Sequence, residues 1–216
     1  SRPAMDIGLI EGQVALGRKD AASLVAHNVG VHFSRQQGWE CIVFVHLADF
    51  QPAAAETLRP LCTCIHLPAL NWGHYLQTVA PPLTLGYEHI ALLLDDIFLP
   101  VNEFSTNLLL ARMQRPGIGA ASPSVVAATH NGIMSPDPPT HKRCLEETPV
   151  IEHYAVIYTQ HAWSCFWRTL EPGNGGGWCY AACFASACNT TRQAIDRTMV
   201  AYHLDRLHAK AYNRSH

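Results

Sequence analysis

Short apolar runs alternate with amphipathic or polar stretches along the chain, and the alternation predicts an ordered series of strands and helices. Residues 5–10 are apolar and stop at Glu11-Gly12, which predicts a first strand running into a loop. Residues 19–33 carry Leu24, Val25, Val29, Val31 and Phe33 behind Asp20, an amphipathic helix that Gly30 weakens. Residues 41–46 are β-branched and aromatic, a strand that reaches a polar stop at Asp49. A short helix over 53–61, a strand over 62–67 and a helix over 71–79 follow, the last broken by Pro81-Pro82. Alternation in the 62–67 strand puts Cys62, Cys64 and His66 on one face.

The run from Ile90 to Leu94 is unbroken and apolar, as in a strand buried on both faces, and it ends at two adjacent carboxylates, Asp95 and Asp96. A helix over 102–112 and a strand-like segment over 118–126, containing Pro123, come next. Strands alternating with helices through residue 126 predict a single-domain α/β fold with a mixed, mostly parallel, Rossmann-like sheet flanked by helices. Residues 127–149 are polar and proline-broken, either a functional lid or a solvated surface loop. Beyond them the pattern predicts a strand over 150–159 that includes Glu152, and a helix over 161–170 whose Trp163 and Trp167 share a face, as core residues do. A helix over 178–187 and a short strand over 199–203 ending at His203 complete the series.

Length and composition permit one core and exclude some partners. A chain of 216 residues with 48% hydrophobic content needs no staple. Charged residues amount to 15% and the formal charge is -2, so no basic field exists to draw nucleic acid or anionic lipid. No apolar segment is long enough to span a bilayer, and a chain starting at Ser1 reads as an excised soluble domain. The 8 cysteines form no CxxC pair, which leaves buried thiols or disulfides rather than structural zinc. The triplets Asn189-Thr190-Thr191 and Asn213-Arg214-Ser215 would suit a secretory lumen.

Two features change the picture from fold to chemistry. Adjacent carboxylates repel, so Asp95 and Asp96 at a strand's carboxyl end suit a divalent cation, Mn2+ or Mg2+, and a phosphate-bearing ligand with it; a simple turn is the other reading. In the stretch 172–178, Gly175-Gly176-Gly177 ahead of Trp178 lets a ligand approach the backbone closely before a helix, or serves as a linker. It lacks the Lys-Ser/Thr of a Walker phosphate loop.

Four passages resemble a plant and algal family known as domain of unknown function 707, regarded as having a GT-A-type glycosyltransferase fold. Leu94-Asp95-Asp96 falls on its acidic triplet with the first acid replaced, Val150-Ile151-Glu152 on a strand with an acidic member, residues 162–167 on the helix behind it, and Gly177-Trp178 with His203 on a Gly-Trp turn and a late His. The resemblance runs from about residue 5 to residue 205 in element order. It implies a nucleotide-binding half over 1–126, a mobile loop over 127–149 and an acceptor side over 150–216. It also implies a nucleotide-sugar donor with a UDP or GDP leaving group and a glycan, protein or small-molecule acceptor; the compartment stays open, a secretory or Golgi lumen being one reading. Asp96 and His203 would then hold the metal, with Asp95 on the ribose or a metal-bound water and Gly176, Gly177 and Trp178 against the donor. Ala181 stands where the family carries an Asp, which leaves Glu152 as the nearest candidate base for the acceptor hydroxyl, with a structural hydrogen-bond partner as its other reading. Cys165 and Cys188 coincide with family cysteines, which implies a disulfide. With Leu94 and Ala181 in place of acids, a non-catalytic sugar- or nucleotide-binding module of the same fold, or a structural protein, stands beside the enzyme.

Overall fold

A computed structural model describes residues 6–12, 21–46, 56–67, 72–128, 131–136, 144–174, 180–188 and 191–204. In chain order its elements are β1 (Asp6–Gly12), α1 (Ala21–His32), β2 (Trp39–His46), β3 (Thr63–Leu67), α2 (Trp72–Gln77), α3 (Pro81–Thr84), β4 (His89–Leu94), β5 (Ile97–Phe98), α4 (Thr106–Met113), β6 (Ile118–Val126), α5 (Asn131–Met134), β7 (Glu146–Thr148), β8 (Ala155–Thr159), α6 (Gln160–Trp167), α7 (Tyr180–Ala187) and β9 (Arg192–His203).

The strands form one sheet in the order β3-β2-β1-β4-β8-β6-β9-β5, with β7 added along β9. β1, β2, β3, β4, β6 and β9 run one way, and β5, β7 and β8 run against them, so the sheet is mixed and mostly parallel, as the strand–helix alternation predicts. β1 to β3 step outward in one direction before the chain returns to the other side of β1 as β4. That reversal opens a crevice at the carboxyl ends of β1 and β4. β4 is central because Ile90, Ala91, Leu92 and Leu93 are all 2% exposed or less, and a strand covered on both faces needs such a run.

One apolar cluster unites both faces of the sheet. Trp163 is wholly buried on α6 and donates its indole N–H to the Val79 carbonyl at 3.2 Å, and the half-buried Trp167 does the same to Gln77 at 3.3 Å, so the pair docks the end of α2. Disulfides join Cys41 to Cys62, between β2 and the approach to β3, and Cys165 to Cys188, between α6 and the end of α7. Among the described residues no helix is long and apolar enough to cross a membrane.

Four stretches differ from the sequence pattern. The helix expected over 102–112 begins only at Thr106, because Ser105 caps it by accepting the Leu108 amide while residues 100–104 form a turn. The 127–149 stretch contains α5 and β7. The strand expected over 150–159 starts at Ala155, so Glu152 lies in the turn before β8 rather than on a strand. β9 runs for 12 residues instead of five, interrupted where Pro123 of β6 pairs with Asp196 and the next residue, Ser124, pairs with Val200. Proline offers no N–H to the ladder, so the register breaks there and residues 197–199 bulge out of β9.

β5 is also absent from the sequence reading, and polar side chains of α1 hold its outer edge. Asn28 donates to the Ile97 carbonyl at 2.6 Å and accepts the Leu99 amide at 3.1 Å, which makes one side-chain amide act as a neighbouring strand. His32 Nε2 lies 2.9 Å from the Leu99 carbonyl, and burial holds its imidazole below the usual histidine range. Asn28→Leu is expected to lower unfolding stability by roughly 2–4 kcal/mol, since it strands two buried backbone groups. Urea denaturation measures this, and a loss under about 0.5 kcal/mol would show that the amide is dispensable.

A carboxylate and imidazole at the switch point

The candidate site lies along the carboxyl edge of the parallel strands. β4 delivers Asp95 and Asp96, β9 delivers His203, and the 151–154 turn enters at the same edge because β8 runs against β4, with Ala155 opposite Leu93. Asp95, Asp96, Glu152 and His203 are all buried, at 6%, 8%, 7% and 7% exposure. Carboxylates this withdrawn from water carry a desolvation cost that only specific partners offset.

Asp96 and His203 meet directly, with Nε2 3.2 Å from Oδ2. Three backbone features fix that approach. Ile97 pairs with His203 across β5 and β9, the Leu204 amide donates to the Asp96 carbonyl at 2.9 Å, and the Leu94 amide donates to the Tyr154 carbonyl at 3.0 Å. The Tyr154 ring then stands edge-on to His203, centroids 4.8 Å apart at 67°. The Glu152 amide donates to the Met134 sulfur at 3.5 Å.

The donor chemistry fits Mn2+ or Mg2+. Among the described residues no three His, Cys, Asp or Glu side chains converge into an all-protein cage. One carboxylate and one imidazole suit an ion whose remaining positions are filled by phosphate oxygens, as is usual for hard cations on nucleotides.

Gly176, Gly177 and Trp178 lie outside the described residues, and only their flanks can be placed. The Tyr180 hydroxyl accepts the Glu171 amide at 2.7 Å and donates to the Glu171 carbonyl at 2.9 Å. Gly73 packs against the same junction, where an added Cβ would sit 2.4 Å from the Glu171 oxygen.

Sequence reasoning missed Tyr154, His153 and the β9 bulge. His153 stacks on Phe166 at 4.7 Å and hydrogen-bonds the Tyr158 hydroxyl. Burial pushes its imidazole down to about 4, against the opposing pull of a hydrogen bond to the Tyr180 backbone, and burial likewise raises the Tyr158 phenol. The signal for a bulge was present as the polar Asp196-Arg197-Thr198 inside an otherwise apolar run.

No family model matches the sequence, and no curated protein does either. Solved structures match in fold. GalNAc-T7, determined with UDP, GalNAc and Mn2+, superposes with a TM-score of 0.66 at 11% identity over 93% of this chain and 44% of its own. The mannosyltransferase PcManGT from Pyrobaculum calidifontis, determined with GDP-Man and Mn2+, gives 0.62 at 11% identity over 92% of this chain and 56% of its own. The fold is therefore the GT-A glycosyltransferase fold expected from the resemblance, and the chain spans about half the length of these structures.

The buried His153 predicts acid sensitivity. An unfolded chain protonates it near 6.5 and the folded protein only near 4, so the stability it contributes is complete above about 6.5 and is lost as pH falls toward 4. The loss is on the order of 3 kcal/mol across that window. His153→Phe should flatten this part of the pH–stability curve in chemical denaturation, and an unchanged slope would assign the acid sensitivity to other groups.

Proposed function

We propose that the chain is the catalytic domain of a metal-dependent glycosyltransferase that moves a sugar from a UDP- or GDP-linked donor to an acceptor hydroxyl on a glycan, protein or small molecule. The observation that carries this reading is the contact between Asp96 and His203 at the topological switch point of a GT-A fold. Asp96 and His203 would hold the divalent ion, Asp95 the ribose, and the backbone of Gly176, Gly177 and Trp178 the donor. When bound, the ion supplies positive charge for the diphosphate leaving group.

The residues of the chain do the rest. Glu152, in the turn facing the same edge, accepts the proton of the acceptor hydroxyl as its oxygen bonds the anomeric carbon. The bond from that carbon to the diphosphate breaks, and its electron pair leaves with the nucleotide. Tyr154 holds the imidazole of His203 in place, and the buried setting keeps water from competing with the acceptor.

A second reading, nucleotide or sugar binding without turnover, is favoured by Leu94 and Ala181 standing where the family it resembles carries acids. Kinship with that plant and algal family rests on the sequence likeness and belongs to this proposal. So does a secretory or Golgi lumen, supported by the disulfides Cys41–Cys62 and Cys165–Cys188, since such bonds persist in oxidising compartments. Peptide mapping without reductant should recover both linked pairs from protein made in a secretory host; alkylation of Cys41, Cys62, Cys165 and Cys188 themselves would remove that support.

Calorimetry with UDP or GDP in the presence and absence of Mn2+ tests the site. Binding should require the metal, and Asp96→Asn should weaken it by about tenfold or more. Donor hydrolysis or transfer proportional to protein concentration then separates the enzyme from the binding module. Absence of metal-dependent binding at millimolar nucleotide would overturn both.

A further inference from the structure

Arg197 projects from the β9 bulge and is 6% exposed, an unusual setting for a guanidinium. Burying such a charge is costly unless its donors are matched, and here both partners come from the 131–148 excursion. Nε donates to Glu146 Oε2 at 2.9 Å, on β7, and Nη1 to the Ser135 carbonyl at 2.7 Å, just after α5. The bulge is itself held from the other side. Asp196 is fully buried, pairs with Arg112 of α4, and accepts the Thr198 amide at 2.9 Å and hydroxyl at 2.7 Å.

Ser135 follows Met134, the fully buried residue whose sulfur receives the Glu152 amide. The connection therefore runs from the bulge through Arg197 and residues 134–135 to the turn bearing the candidate base. The bulge also sets the direction of the 200–203 segment that ends at His203. We propose that Arg197 is a positioning residue: it locks residues 134–135 against the 151–154 turn and so fixes Glu152 relative to the donor end formed by Asp95, Asp96 and His203. This rests on the glycosyltransferase reading for its effect on rate, though the mechanical link does not.

The test uses the whole chain with Arg197→Met, which keeps the apolar stem and removes the fork, and Arg197→Lys. Hydrogen exchange should rise in 131–136 and 151–154 while 89–99 stays protected. Affinity for UDP or GDP with Mn2+, and the donor KM, should remain within about twofold, while kcat for donor hydrolysis falls about tenfold or more, as displacement of a reacting group requires. Arg197→Lys should recover part of kcat. Unaltered exchange in 151–154, or a donor KM that rises as kcat falls, would overturn the proposal. If Arg197→Met does not fold, Met134→Leu decides: a kcat loss at unchanged donor affinity supports the link, and an unchanged kcat removes it. A wild-type protein that binds no nucleotide would refute the glycosyltransferase reading alone, because the exchange measurement still decides whether Arg197 holds the turn.

Discussion

A reach constraint governs this structure. From Leu94 to Ile97 the chain advances three residues, at most about 11 Å when fully extended. Yet β4 and β5 stand four places apart in the sheet, about 19 Å at ordinary strand spacing. Both hold only if the far end of the sheet turns back over β4. The register breaks at Pro123, where residues 197–199 leave the ladder, and beyond that break the second half of β9 brings His203 onto Asp96. A proline in a buried strand, ordinarily a defect, here lets two distant stretches of sequence form one site.

Such a bend needs support on both sides, and the chain supplies it with polar groups rather than more apolar packing. Asp196 pairs with Arg112 and Thr198, and Arg197 with Glu146 and Ser135. Asn28 does the equivalent for β5, satisfying backbone groups that a longer sheet would have paired. Apolar contacts are tolerant of small slips, whereas a fully buried carboxylate or guanidinium is not. Buried polar contacts therefore concentrate at the bulge and at β5, where the positions of Asp96 and His203 are set.

What the sequence disclosed follows from what periodicity encodes. β2, β3, β4, α1 and α6 were legible because their apolar residues repeat at strand or helix intervals, and Asp95-Asp96 was legible because charge ends an apolar run abruptly. β5 was not, since two residues carry no period and its partners are non-local. The sequence pattern puts Glu152 on a strand because Val150 and Ile151 continue the apolar run, but the turn serves a tertiary need, the hydrogen bond between Leu94 and Tyr154 that joins it to β4. The meeting of Asp96 with His203 was expected from a resemblance, and no local pattern could have supplied it, since 107 residues separate the two positions.

Leu94 stands where the resembled family carries an acid, and its surroundings suit an apolar residue. Leu94 is the last residue of β4, only partly buried and packed against the apolar cluster, and its amide is committed to Tyr154. A carboxylate there would add a third negative charge beside Asp95 and Asp96 while the nearby imidazole can balance at most one. If the ion binds as proposed, His203 supplies a second donor type, Asp96 does not require an acidic neighbour at position 94, and the diphosphate oxygens of a nucleotide would complete the set. On the proposed reading the acidic pair shares its ion with His203 and the phosphates of the ligand, which makes Ala181 the stronger of the two departures against turnover.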